Sequence, residues 1–85
     1  MYWTVVISGV KDDIEEDNIQ QQEFDFEDDA LNAHSEIVDG VAQDFIWQHG
    51  YTKITVRTVK HNWVDKVIRE TVFFRDGAVN DVVFQ

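Results

Sequence analysis

The spacing of the apolar residues changes twice along this chain, and these changes constrain its fold more than any other feature. Residues 2–8 are mostly β-branched and aromatic residues whose side chains would alternate between two faces, which is typical of a strand. From residue 27 to residue 49 the apolar residues recur at intervals of three and four, the period of an amphipathic helix. After Gly50 the period returns to two. The sequence therefore predicts strands on both sides of one long helix.

Four further strands complete the predicted fold. Alternating or β-rich segments occupy residues 21–26, 53–60, 66–75 and 78–84. The pair Asp76-Gly77 favours a tight hairpin turn before the last strand, and residues 61–63 suggest a turn or bulge before the preceding one. The order ββαβββ predicts a single α+β domain over residues 1–85. Its architecture would be a two-layer sandwich, in which one helix packs on one face of an antiparallel or mixed sheet.

Two segments of this pattern need a separate interpretation. Residues 9–20 crowd like charges beside little apolar surface, so we predict a loop there. Gly40 lies inside the helical pattern, where a glycine costs about 1 kcal/mol relative to alanine. Either a close packing contact requires this glycine or the helix bends there. The helix end, His49 followed by Gly50, suits a left-handed terminator.

Charge is distributed unevenly along the chain. Residues 1–44 contain 13 acidic residues and 1 basic residue, whereas residues 45–85 contain 4 acidic and 6 basic residues. A domain of this size would carry a strong negative field on one region and a mildly basic surface elsewhere. The net charge of −10 repels both nucleic acid and anionic membranes. A basic protein is therefore the expected partner, and direct binding to nucleic acid or to a membrane is not expected.

The main candidate site consists of ten carboxylates within eighteen residues, with no basic residue among them. Their density costs stability through self-repulsion, and carboxylates on neighbouring exposed positions approach the linear charge density of DNA. We therefore predict that they imitate nucleic-acid phosphates and fill a basic cleft in a partner protein. Trp47 and Trp63 are the candidate apolar anchors. The ten carboxylates are Asp12, Asp13, Glu15, Glu16, Asp17, Glu23, Asp25, Glu27, Asp28 and Asp29.

Three other interpretations of the acidic segment stay open. It could be a solvated face that keeps a small apolar protein soluble. It could also be an adaptation to high salt, although the basic second half of the chain argues against this. The third is a cation site, because Asp13, Glu15 and Asp17 alternate as at the start of a calcium loop. Asn18 and Phe24 then stand where that loop requires glycine and a bidentate glutamate, so no dedicated metal site is predicted.

The sequence contains no recognisable catalytic constellation. Cysteine is absent, and His34, His49 and His61 are too far apart for a metal-ligand spacing. Ser8 and Ser35 lack the glycine-flanked turn of a nucleophile. We therefore predict a protein that is not an enzyme and uses no cofactor. His34 is expected to be a partly buried helix residue, His49 to serve the helix end and His61 to lie in a turn.

The leading hypothesis is a small acidic binding protein that inhibits or masks a basic, nucleic-acid-handling partner, as a DNA mimic does. Bacteriophage counter-defence proteins and bacterial immunity or antitoxin proteins share this size and acidity, which is an analogy of charge and length without a family motif. The alternative is a structural or assembly subunit, such as a homodimer, whose acidity serves solubility. The short apolar start and the absence of cysteine predict a soluble, cytoplasmic protein of a bacterium or a phage-infected cell.

Overall fold

A five-stranded antiparallel sheet with one helix packed against it forms the structure. The computed structural model describes residues 1–41, 44 and 48–84. The strand order across the sheet is β2-β1-β3-β4-β5, and every neighbouring pair is antiparallel. The predicted α+β order ββαβββ is therefore confirmed. The elements are β1 (Tyr2–Lys11), β2 (Ile14–Phe24), α1 (Glu27–Glu36), β3 (Lys53–His61), β4 (Asp65–Phe74) and β5 (Val79–Val83).

Alternation along the strands separates a core face, which α1 partly covers, from an outer face. α1 packs against β1, β2 and β3. Its buried Ala30 joins Tyr51 and the apolar strand residues in one core cluster. Burial of each large aliphatic side chain in this cluster contributes about 1.5–3 kcal/mol. The strand members of the cluster are Val5, Ile7, Ile54, Val56 and Phe73.

Residues 9–20, predicted as a loop, form most of a hairpin instead. β1 extends to Lys11, which pairs with Ile14, so the turn contains only Asp12 and Asp13. Both aspartates have positive φ angles, 53° and 61°, as in the tightest hairpin turns. The acidic side chains of β2 are exposed, while its backbone pairs with β1. Backbone hydrogen bonds therefore order a segment whose composition alone favours a loop.

The second predicted strand also ends earlier than its alternation suggests. β2 stops at Phe24, which is half-buried against the core. Phe26 is 68 % exposed and is the residue before α1, so it does not share a buried face with Phe24. The chain leaves the sheet at this point because the helix begins immediately afterwards, at Glu27.

Gly40 lies in a π-helical turn, Ile37–Val41, that continues α1. A Cβ atom added at Gly40 would meet no atom within 4 Å, so a close packing contact does not explain this glycine. A π-helical turn is a local irregularity of the kind at which helices bend. Residues 48 and 49 are helical and Gly50 has a φ of +75°, which confirms the predicted terminator.

The hairpin between β4 and β5 follows the sequence prediction. Gly77 has a φ of +97°, and its N–H donates to the carbonyl of Phe74 at 3.0 Å. Between β3 and β4 the bend covers residues 62–64, so His61 is the last residue of β3 rather than part of the turn. No helix within the described ranges is long and apolar enough to cross a membrane.

Candidate functional site

The ten candidate carboxylates lie along one edge of the sheet. β2 is an edge strand, because only β1 pairs with it. The carboxylates occupy the β1–β2 turn, β2 itself, the link to α1 and the first turn of α1, and all are exposed. The fold therefore keeps together residues that are close in the sequence. We call this surface the acidic edge, and it comprises Asp12, Asp13, Glu15, Glu16, Asp17, Glu23, Asp25, Glu27, Asp28 and Asp29.

Carboxylates of the acidic edge belong to both faces of the sheet. Glu15 pairs in register with Val10 on the outer face, whereas Glu16 pairs with Gly9 on the core face. Since side chains of successive strand residues point to opposite faces, the negative charge surrounds the edge strand. Within the described part of the chain, no ion pair involves any of the ten carboxylates.

Glu16 differs from the other nine because it has a partner inside the protein. The hydroxyl of Tyr51 donates to a carboxylate oxygen of Glu16 at 2.7 Å. This hydrogen bond, followed by burial of the phenol, raises the pKa of Tyr51. The ammonium of Lys11 lies 5.8 Å from the centre of the Tyr51 ring. Glu16 therefore helps to hold the core residue Tyr51 as well as contributing charge.

The three acidic residues at the start of α1 also have a structural explanation. Glu27, Asp28 and Asp29 occupy its first turn, and the preceding Phe26 makes no side-chain cap. Carboxylates at this position interact favourably with the free N–H groups and the positive end of the helix dipole. These residues add to the negative surface, but their presence alone does not indicate a partner.

Of the two candidate tryptophans, the structure describes only Trp63. Trp63 is 95 % exposed in the bend between β3 and β4, beside Val64 at 77 %. Because β1 pairs Tyr2 with His61, this bend lies at the end of the sheet where β2 leads into α1. It is thus at the opposite end from the Asp12–Asp13 turn. Trp47 lies outside the described residues.

His61, expected in a turn, is the last residue of β3 and joins β1 to the first residue of β4 through a hydrogen-bonded chain. Its Nε2 lies 2.7 Å from the hydroxyl of Thr4, and its Nδ1 lies 2.8 Å from a carboxylate oxygen of Asp65. Tyr2 stacks on the imidazole, with the ring centres 4.5 Å apart. The order carboxylate, imidazole, hydroxyl matches that of a hydrolase triad.

The surroundings of Thr4 nevertheless do not suit its hydroxyl to act as the nucleophile of a hydrolase. This residue is only 2 % exposed, so a substrate carbonyl has no approach to its hydroxyl. β1 is paired on both sides, by β2 and β3, and this pairing engages the backbone N–H groups that an oxyanion hole would need. The chain of hydrogen bonds is therefore a structural tie that fixes the bend carrying Trp63.

His34 is completely buried, rather than partly buried as its helical spacing suggests. Its Nδ1 lies 2.7 Å from the hydroxyl of Thr58 on β3, and its Nε2 lies 2.8 Å from the hydroxyl of Thr71 on β4. Both threonines are also completely buried. Thr71 in turn donates to Asp81 on β5 at 2.8 Å. One imidazole thus connects α1 to three strands.

The pKa of His34 is lowered to about 4. Burial of the imidazole is the largest cause, and the guanidinium of Arg69 acts in the same direction, whereas Asp81 opposes them. His34 is therefore neutral at pH 7. A neutral imidazole has one donor and one acceptor nitrogen, which suits a position between two hydroxyls.

Arg69 and Asp81 form the charged end of this network. Two nitrogens of the guanidinium bond the carboxylate at 2.9 and 3.1 Å, and a third donates to Ser35 at 2.9 Å. The bond to Arg69 is the main reason that the pKa of Asp81 is lowered. A second cross-strand pair, Arg57 with Glu70 at 2.7 Å, lies on the outer face. Opposite charges at such cross-strand positions stabilise a sheet.

No group of three or more metal-ligating side chains occurs among the residues that the structure describes. The sequence did not predict the network around His34, because its members are distant in the chain and only the strand register brings them together.

Comparisons with known proteins identify no relative: no protein-family model, no curated protein and no solved structure matches this chain significantly.

Proposed function

We propose that this protein is a non-enzymatic binding protein whose acidic edge occupies a basic surface of a nucleic-acid-handling partner. One observation carries the proposal: nine of the ten carboxylates, all except Glu16, have no hydrogen-bond or ion-pair partner among the described residues. Such a density of unpaired charge costs stability through repulsion. A gain elsewhere, in association with a positively charged surface, is a physical reason to retain it.

The position of the charges supports the same proposal. They lie on a sheet edge, where carboxylates on both sides of one strand can reach into a groove from two directions. Opposite charges steer the two proteins together and raise the association rate more than the lifetime of the complex. Trp63, in the bend that the hydrogen bond between His61 and Asp65 spans, is an exposed aromatic side chain of the kind that anchors interfaces.

The experiment uses two variants of equal net charge. Glu15→Gln, Asp17→Asn and Glu23→Gln remove three charges from β2, whereas Glu36→Gln, Asp39→Asn and Asp44→Asn remove three exposed charges from elsewhere. The tagged wild type should capture a basic, nucleic-acid-binding enzyme from a bacterial lysate at low salt, and double-stranded DNA should release it. The β2 variant should lose this capture and the control variant should keep it.

Kinetics with the captured enzyme then test the electrostatic mechanism. The association rate should fall steeply with salt, and the β2 variant should associate at least tenfold more slowly with a nearly unchanged dissociation rate. If both variants associate equally slowly, the effect depends on net charge and not on the position of the carboxylates. A complex insensitive to salt would contradict the proposal.

A structural or assembly subunit is the second candidate, and β5 favours it. This strand is the other edge of the sheet, and all five of its residues are exposed, including Val79, Val82 and Val83. An exposed apolar edge strand can pair with a second copy. Sedimentation over a range of concentrations separates the two candidates, because a self-assembling subunit increases in mass with concentration.

A further inference from the structure

Two lysines face each other across neighbouring strands. Lys60 on β3 and Lys66 on β4 are directly opposite in the strand register. Like charges at such positions destabilise a sheet. The chain has 17 acidic residues, yet no carboxylate among the described residues lies within ion-pair distance of either lysine. Because neither ammonium group has an ion-pair partner among the described residues, the two together form an electrostatically favourable place for an anion from outside.

Both lysines line an open cleft of about 300 Å³ between α1 and the sheet. Since Lys60 follows the buried Thr58 by two positions on β3, it lies on the core face. The cleft lies between α1 and the part of the sheet that β3, β4 and β5 form. The other residues that line the cleft are Glu27, Leu31, Ile68, Val83 and Phe84.

The local strand geometry supplies the apolar side of this cleft. Thr58 pairs with Arg69 and Val59 pairs with Val67, so Ile68 is an extra residue on β4. Its carbonyl accepts a hydrogen bond from the N–H of Phe84 at 2.9 Å, which fixes the chain beyond β5 beside it. Phe84 remains 44 % exposed. The cleft thus has two ammonium groups and an accessible apolar wall.

We propose that this cleft binds a small monoanion with an apolar tail, namely an aliphatic or aromatic carboxylate. The ammonium groups of Lys60 and Lys66 would share the carboxylate, and Leu31, Ile68 and Phe84 would contact the tail. Glu27 supplies one competing negative charge in the same cleft, which disfavours dianions such as phosphate monoesters. The volume lies at the lower end of the range for ligand pockets, about 300–1,000 Å³, so the ligand is small.

The test is a titration of the isotope-labelled protein with octanoate, followed by amide chemical shifts in NMR spectra. Octanoate is kept below the concentration at which it forms micelles, and the protein at concentrations where sedimentation shows a single mass. Saturable shifts should appear around Lys60, Lys66 and Phe84. Octanol has the tail without the charge and acetate has the charge without the tail, so each should bind at least tenfold more weakly.

Matched variants assign the binding to the two lysines. The variant Lys60→Gln with Lys66→Gln should bind octanoate at least tenfold more weakly, while Lys53→Gln with Arg75→Gln removes the same charge and should bind as the wild type does. The amide spectrum shows whether each variant is folded. The double lysine variant should stay folded, because the substitutions remove two like charges that face each other. If it does not fold, Lys66→Gln alone replaces it in the binding experiment. Equal binding by the lysine variant, equal binding of octanol, or no saturable shift with millimolar octanoate would overturn the proposal.

Discussion

The imidazole of His34 and the hydroxyl of Thr71 lie 2.8 Å apart, and the direction of this hydrogen bond follows from its neighbours. A carboxylate only accepts, so Thr71 donates its hydroxyl hydrogen to Asp81. Thr71 therefore accepts from His34, whose Nε2 must carry the proton. In the neutral imidazole Nδ1 then accepts from the hydroxyl of Thr58. The carboxylate on β5 thus sets the tautomer of a histidine on α1.

This network lies inside the protein and the acidic edge lies outside it, so the two have separate roles. The network joins α1, β3 and β4 through the completely buried His34, Thr58 and Thr71, which all have partners, and reaches β5 at the exposed Asp81. Satisfied buried networks favour one arrangement of the elements, because any other arrangement leaves their polar groups unpaired. The carboxylates of the acidic edge, apart from Glu16, are available for other molecules.

We predict that His34 makes the stability depend on pH between about 4 and 6.5. Its pKa is about 4 in the native protein and about 6.5 in the unfolded chain. Because the native pKa is the lower one, the stabilisation is complete above pH 6.5 and is lost as the pH falls toward 4. The total loss is on the order of 3 kcal/mol. Urea denaturation at several pH values measures it.

The variant His34→Gln tests the assignment of this pH dependence. Glutamine keeps a donor group and an acceptor oxygen but does not titrate. The variant should be less stable at pH 7, because the hydroxyls of Thr58 and Thr71 lose well-placed partners. Between pH 6.5 and 4 its stability should change less than that of the wild type. An unchanged slope would assign the pH dependence to other groups.

The two cross-strand ion pairs should differ in their contribution to stability. Asp81→Asn removes a bidentate contact with Arg69 and weakens the acceptor for Thr71, so we expect a loss of about 1–3 kcal/mol. Glu70→Gln removes one bond to Arg57, whose side chain is 40 % exposed, and should cost less than about 1 kcal/mol. Thermal melts of both variants compare them directly. Equal losses of stability in the two variants would contradict the larger contribution that we assign to Asp81.

The strands with strong apolar alternation could be predicted from the sequence, and β2 shows where such prediction stops. Only Ile19 and Phe24 of its eleven residues are even half-buried, so β2 has no clear period. Its turn, Asp12-Asp13, lacks the glycine that marks a tight hairpin in a sequence. The helix start and the Asp76-Gly77 turn were predictable because each has local chemistry that requires it.

In the candidate site, too, some features could be predicted from the sequence and others could not. The carboxylates of the acidic edge are close in the sequence, so their proximity in the fold required no knowledge of the topology. The pairs His34 with Thr71 and Lys60 with Lys66 depend on strand register, which composition does not specify. Trp63 could be identified as exposed because it lies in a predicted turn. The exact burial of His34 could not, since its helical phase suits a partly buried position as well.

A glycine in the β1–β2 turn should stabilise the protein. Asp12 and Asp13 both have positive φ, a conformation that aspartate tolerates but that glycine adopts with no steric cost. The pair Asp12→Asn with Asp13→Gly produces the preferred sequence for such a turn and should stabilise by about 0.5–1 kcal/mol. Chemical denaturation measures this change. A flexible loop would instead lose stability on gaining a glycine.

Two glycine-to-alanine substitutions should have opposite effects. A Cβ atom at Gly9 would lie 2.8 Å from Cδ1 of Tyr51 and 3.0 Å from Cδ1 of Ile54, and both neighbours are buried. Gly9→Ala should therefore destabilise by about 1–3 kcal/mol through overpacking. Gly40→Ala meets nothing within 4 Å and should be neutral or stabilise by up to about 1 kcal/mol. Thermal melts that rank the two variants in the reverse order would contradict the packing around Gly9.

Glu15 and Glu16 are neighbours on β2, yet their substitution should affect the protein differently. Glu16→Gln weakens the hydrogen bond from Tyr51, so the pKa of Tyr51 should fall toward its ordinary value, as ultraviolet titration of the phenol can show. Glu15→Gln should leave that titration unchanged and relieve repulsion. In binding to a basic partner, Glu15→Gln should slow association without altering the fold. If Glu16→Gln leaves the titration of Tyr51 unchanged, Glu16 belongs with the other nine carboxylates rather than with the core.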